Sequence, residues 1–167
     1  MRTSGTEKKN RPTLERATKQ DRPPLRLTRR DLDIIQAVYL YRALTTPQIE
    51  DLLFPPLTPG APIGRKTKCR ERLQKLFHHG YLWRGEIPTV WTEGKKPFVY
   101  RIDKRALEWL PNLLGVDIEE IDWKPSERTV SDSGLNHLLK TNDVRIALSV
   151  AEEQVGLRIT QWLDERQ

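Results

Sequence analysis

The order of elements along this chain predicts an α+β fold. It reads as a winged helix-turn-helix, three helices plus a β-hairpin wing, over residues 25–102, followed by a C-terminal helical extension and a terminal strand. Three observations carry that reading. Apolar residues recur at helical spacing in three successive capped segments. The third segment sets a cationic stripe beside its apolar one. Two β-rich runs then flank a basic tip bracketed by Gly94 and Pro97.

Thr28 starts the first helix, with Asp31 three residues on as in a capping box and Leu27 and Leu32 at the two positions of a hydrophobic staple. Leu32, Ile35, Val38 and Tyr39 share one face, and the helix is expected to run to about Arg42. Thr45 or Thr46 caps the second helix, where Pro47 suits the first turn because the N–H it lacks would be unpaired there. Ile49, Leu52 and Leu53 form its buried stripe, and Pro55 and Pro56 end it. The stretch PPLTPGAPIG at 55–64 reads as a stiff loop, longer than the turn of a minimal helix-turn-helix. The third helix spans roughly Arg65–His79, stopped by Gly80.

Tyr81–Arg84 is a short strand signal, Val90–Trp91 a middle segment, Lys95–Lys96 the basic tip, and Phe98–Ile102 the returning strand. Asp103–Leu114 has a helical pattern that Pro111 kinks. Residues 115–134 form an acidic linker around Ile121 and Trp123. A long amphipathic helix is expected over Leu135–Val155, ended by Gly156, and a strand over Leu157–Leu163. The domain plan is therefore a disordered basic arm at 1–24, the winged helix at 25–102, a helix and acidic linker at 103–134, and a helix plus strand at 135–167 that serves dimerisation or opens a truncated second domain.

Composition narrows the partner. The 167 residues carry a net +6, and the charge is uneven: residues 1–30 hold ten Lys/Arg and three Asp/Glu, whereas the remainder is net −1. A pI raised by one segment suggests an arm that contacts phosphates. Cys69 stands alone, which excludes an internal disulfide, and His78, His79 and His137 lack the companions of a zinc site. No apolar stretch suits a membrane span or a signal peptide, so the expected location is the cytoplasm.

The candidate site is the third helix. Cys69, Leu73, Leu76 and Phe77 make its apolar stripe; Arg65, Lys68, Arg72 and Lys75 share a stripe beside it, and Lys66 and Arg70 lie on the other flank. Between 65 and 84 there are seven basic residues and one acid, Glu71, whereas a merely solvated helix usually mixes signs. The major groove of B-DNA admits one α-helix, so this segment is expected to bind double-stranded DNA, with Arg65, Lys66, Lys68 and Arg72 on base edges or phosphates. Arg84, Lys95 and Lys96 are expected to let the wing grip the flanking backbone. His78 and His79 read as C-terminal dipole or capping groups, Cys69 as core, Trp83 and Trp91 as aromatic packing, and His137, Asn142 and Asp143 as cap or interface groups. Nothing points to an enzyme, a metal or a cofactor: there is no phosphate-cradling glycine loop and no His-hydrophobic-His triplet, and Glu119–Glu120 sits in a linker without a partner.

The combination of LTRRDLDIIQAVYLYRALTTPQIEDLLF (27–54), RKTKCRERLQKLFHHGYLWR (65–84), PFVYRID (97–103), HLLKTNDVRIAL (137–148) and LRITQWLDE (157–165) resembles the replication-relaxation family of plasmid and mobile-element proteins. That resemblance implies a winged-helix DNA-binding protein tied to control of plasmid replication or transcription. Members often continue into a further α/β portion. Two other readings compete: a protein-interaction adaptor built on the winged helix and the C-terminal helix, and the front part of a nuclease. A homodimer through 135–155 is compatible with the pattern, since regulators often bind two half-sites, although no heptad specifies it.

Overall fold

Thr28 and Asp31 open the first helix as their spacing predicts. In the computed structural model, which describes residues 14–54, 64–87, 96–125 and 132–156, α1 spans Arg29–Leu40. The Asp31 carboxylate accepts from both the backbone N–H and the hydroxyl of Thr28 at 2.8 Å and occupies the positive end of the helix. The helix stops two residues short of the expected Arg42, because Arg42 takes a left-handed φ of 61° and turns the chain into β1, Leu44–Thr45. Two residues carry no periodicity, so this strand has no signature in the sequence.

Thr45 also caps α2, Thr46–Leu53: Thr45 N–H donates to Gln48 Oε1 at 2.9 Å, the Thr45 hydroxyl oxygen accepts from Gln48 N–H, and Pro47 sits in the first turn. Next comes α3, Gly64–His78, beyond which Gly80 adopts φ 79°, a conformation glycine takes without the Cβ clash that other residues meet. Then follow β2, Leu82–Gly85, and β3, Val99–Ile102. The three strands form an antiparallel sheet in the order β1-β3-β2, with Leu82 opposite Ile102, Gly85 opposite Val99, and Leu44 opposite Tyr100. The hairpin tip, Val90–Trp91 and Lys95 lie outside the described residues, as does Leu157–Leu163, where the terminal strand is expected.

One core joins these elements. Ile34, Ile35, Val38, Leu44, Ile49, Cys69, Leu73, Leu76 and Leu82 are fully buried. Each side chain of that size contributes roughly 1.5–3 kcal/mol relative to exposure. A second cluster unites Ala43, Ile87, Val99, Leu135 and Leu139, with Trp83 packed on it, as expected of an aromatic core residue.

Beyond the sheet the structure departs from the sequence reading in three places. Asp103–Leu114 is not one kinked helix: a 3-10 turn, Lys104–Glu108, precedes a separate α4, Leu110–Leu114, with Pro111 in its first turn. Proline has no N–H to donate and crowds the preceding turn, so it starts a helix here. The last helix, α5, spans Asp132–Val155 and begins before the expected Leu135. It packs on α2 and β1 rather than standing apart: Asn142 is fully buried and donates to the carbonyls of Tyr41 (3.0 Å) and Ala43 (2.7 Å), while Gln48 Nε2 donates to Leu139 O (2.9 Å) and Asp143 Oδ1 (2.6 Å). Finally, residues 14–24, expected as part of a disordered arm, lie against the domain. Arg16 donates to the carbonyls of Phe77 and Leu82 and pairs with Asp103, which is 2 % exposed. Residues 1–13 lie outside the described residues. No helix among the described residues is long and apolar enough to cross a membrane.

Candidate nucleic-acid interface

The stripe Cys69, Leu73, Leu76 and Phe77 seats α3 on α2 and β2 and leaves its other faces outward. Lys66, Thr67, Lys68, Arg70, Glu71 and Gln74 are exposed. The cationic residues expected to work together separate into distinct environments. Lys66 and Lys68 are exposed, Lys75 is half-buried, and none of the three enters an ion pair among the described residues. Arg70 is 68 % exposed and lies 3.5 Å from the buried carboxylate of Glu50 on α2, so its head group faces solvent from an anchored position.

Arg72 and Arg65 are placed otherwise. Arg72 Nη1 donates to Asp31 Oδ2 at 2.8 Å, the oxygen that also closes the α1 capping box. Asp31 is fully buried, so the pair compensates a carboxylate that burial would otherwise penalise heavily. Arg65 Nη1 donates to Phe54 O at 2.5 Å, satisfying a carbonyl left at the end of α2. Both guanidinium groups are thus engaged inside the protein through one N–H each, while remaining part-exposed. Arg84, expected to grip DNA from the wing, is 3 % exposed and lies between the rings of Phe77 (4.1 Å) and Phe98 (4.8 Å). Its alternation on β2 turns it inward, where two aromatic faces stabilise the cation. Lys96 is half-buried, and Lys95 lies outside the described residues.

The sequence offered no signal for these pairings, since Asp31 and Arg72 stand 41 residues apart. A finer reading of helical position does find what the cationic pattern hides. Counting about 100° per residue from Cys69 places Thr67, Glu71 and Gln74 opposite the core, with the cations on either side.

The two histidines at the end of α3 hold the N-terminal segment. His78 Nδ1 accepts from Ala17 N–H at 3.0 Å, and His79 Nε2 lies 2.8 Å from Pro23 O. The expected capping role therefore goes to a different stretch of chain. Burial, reinforced by the nearby positive charge of Arg84, His79, Arg16 and Arg22, pushes the His78 pKa down and favours the neutral ring that this contact needs. Burial pushes the Cys69 thiol up to about 12, which keeps it protonated and unreactive in the core.

Together these features define a small α+β domain that turns a cation-flanked helix to solvent. The chain belongs to the replication-relaxation family, whose model matches residues 35–167, from within α1 onward. Searches of curated proteins and of solved structures return no match.

Proposed function

We propose that residues 25–102 are a winged helix that binds double-stranded DNA without acting on it chemically, with α3 in the major groove, and that the chain regulates replication or transcription of a plasmid or mobile element in the cytoplasm. One observation supports this above the others: α3 is anchored by a buried stripe while Lys68 and Arg70 stand exposed on the two sides of its outward face and Lys66 is exposed near its N-terminus. A groove-reading helix needs that division. Family membership supports a setting in replication of mobile DNA.

The test is binding of a random-sequence duplex, followed by fluorescence anisotropy across a salt series. Each neutralised phosphate steepens the log–log salt slope by about 0.9. The double charge reversal Lys66→Glu/Lys68→Glu is expected to lower affinity at least roughly 100-fold at low salt and to flatten the slope by about two. Unchanged affinity in a folded double variant refutes the reading. Arg65 and Arg72 are unsuited to this test, because their replacement removes internal contacts as well.

A second reading, that the chain also pairs with a protein through α5, is favoured by Val144 and Leu148, exposed by 55 % and 43 % on one outward face. Light scattering decides it. A dimer that Val144→Glu converts to monomer supports a homodimer, and a monomeric parent protein excludes it.

A further inference from the structure

Among the residues on α3, those aimed most directly away from the core are not cations. With Cys69 and Leu73 facing inward, Thr67, Gln74 and Glu71 project at roughly 140–200° from the Cys69 direction. Lys68 and Lys75 fall on one shoulder of this ridge and Arg70 on the other, with Lys66 exposed near the N-terminus of α3 on the core side of Arg70. Thr67, Glu71 and Gln74 are exposed, and their side chains form no hydrogen bond or ion pair among the described residues. Glu71 is thus an unpaired acid at the centre of a face bounded on both sides by positive charge.

We infer that this ridge reads base edges while the two cationic shoulders hold the phosphates of the groove walls, and that Glu71 sets a preference for a C·G pair. The inference rests on the DNA-binding reading above and deepens it. A helix in the major groove puts its central ridge on the base edges and its shoulders nearest the two phosphate backbones. Side-chain chemistry then assigns the contacts. A carboxylate only accepts, and the cytosine N4 amino group is the donor it matches; Gln74 matches the donor–acceptor pair on adenine; Thr67 suits either a polar edge or the thymine methyl. A guanine edge in the same place sets Glu71 against the acceptors O6 and N7, which repel it, and adenine offers its N6 donor only beside the N7 acceptor. An acid there costs nonspecific affinity, so its positive contribution is discrimination. The partner is B-form duplex DNA rather than duplex RNA, whose major groove is too deep and narrow for such a helix.

The experiment is selection of bound duplexes from a random pool, carried out on the full chain and on Glu71→Ala and Lys68→Ala. The parent protein is expected to enrich cytosine at one position by roughly 5- to 100-fold, and Glu71→Ala to lose that preference. Glu71→Ala should bind a random-sequence duplex as tightly as the parent or more so. Lys68→Ala should keep the selected sequence while weakening all duplexes and lowering the salt slope by about one. An unaltered selected sequence in Glu71→Ala overturns the assignment. So does duplex binding by the parent with no sequence enriched, an outcome that leaves the DNA-binding reading standing. Absence of duplex binding by the parent, or equal binding of duplex RNA, overturns both.

Discussion

Cations that look alike in the sequence differ once their partners are known. Arg72 neutralises the fully buried Asp31, so Arg72→Ala strands a carboxylate that also caps α1. The expected cost is about 3 kcal/mol, visible as a lowered urea midpoint at unchanged slope. Lys68 is exposed, and Lys68→Ala should leave stability within about 0.5 kcal/mol while weakening DNA binding. A variant series that shows both residues behaving alike contradicts this division. Cys69 gives a third expectation at this scale. Its thiol, pushed up to about 12 by burial, should resist a thiol reagent at neutral pH until denaturant opens the core. Gly85 is constrained for a local reason: a Cβ there would run into the indole of Trp83, which the second core cluster holds in place.

At the scale of elements, the N-terminal segment is coupled to the end of α3 through a ring that must be uncharged at Nδ1. His78 has a folded pKa below the ordinary 6.5, so the contact is fully present above that value and is lost as pH falls through the depressed one. Hydrogen exchange, corrected for intrinsic rates, should show residues 14–24 losing protection as pH is lowered below the ordinary histidine range while the middle of α3 keeps it. Protection of 14–24 that persists until α3 itself opens in acid contradicts the link. The elements themselves were legible where local chemistry decides them. Thr28 with Asp31, Thr45 with Pro47, and Gly80 mark helix ends that the structure reproduces to within one or two residues. What stayed hidden depends on distant chain. Two-residue β1 exists because β3 offers it hydrogen bonds, and the docking of 14–24 depends on Asp103 and on carbonyls at the far ends of α3 and β2. Site residues follow the same rule. Which residues belong to α3 could be read from periodicity; which of its arginines were already spoken for could not.

For the whole molecule, charge and architecture are partitioned differently. The net +7 of residues 1–30 precedes a body of net −1, and the family model begins at residue 35, so the basic stretch lies outside the part matched to relatives. Removing residues 1–13, which takes away Arg2, Lys8, Lys9 and Arg11 but leaves Arg16, should flatten the salt slope of duplex binding by about one to three. An unchanged slope would take those cations out of the proposed interface. Asn142 and Gln48 have a broader consequence. Between them they tie the middle of α5 to the carbonyls before β1 and to the capping residue of α2. One buried amide thus holds both carbonyls of the bend where the chain leaves α1 for the sheet. Replacing Asn142 by alanine would strand both acceptors at once, so a single side chain on the last helix governs how the first helix hands the chain to its first strand.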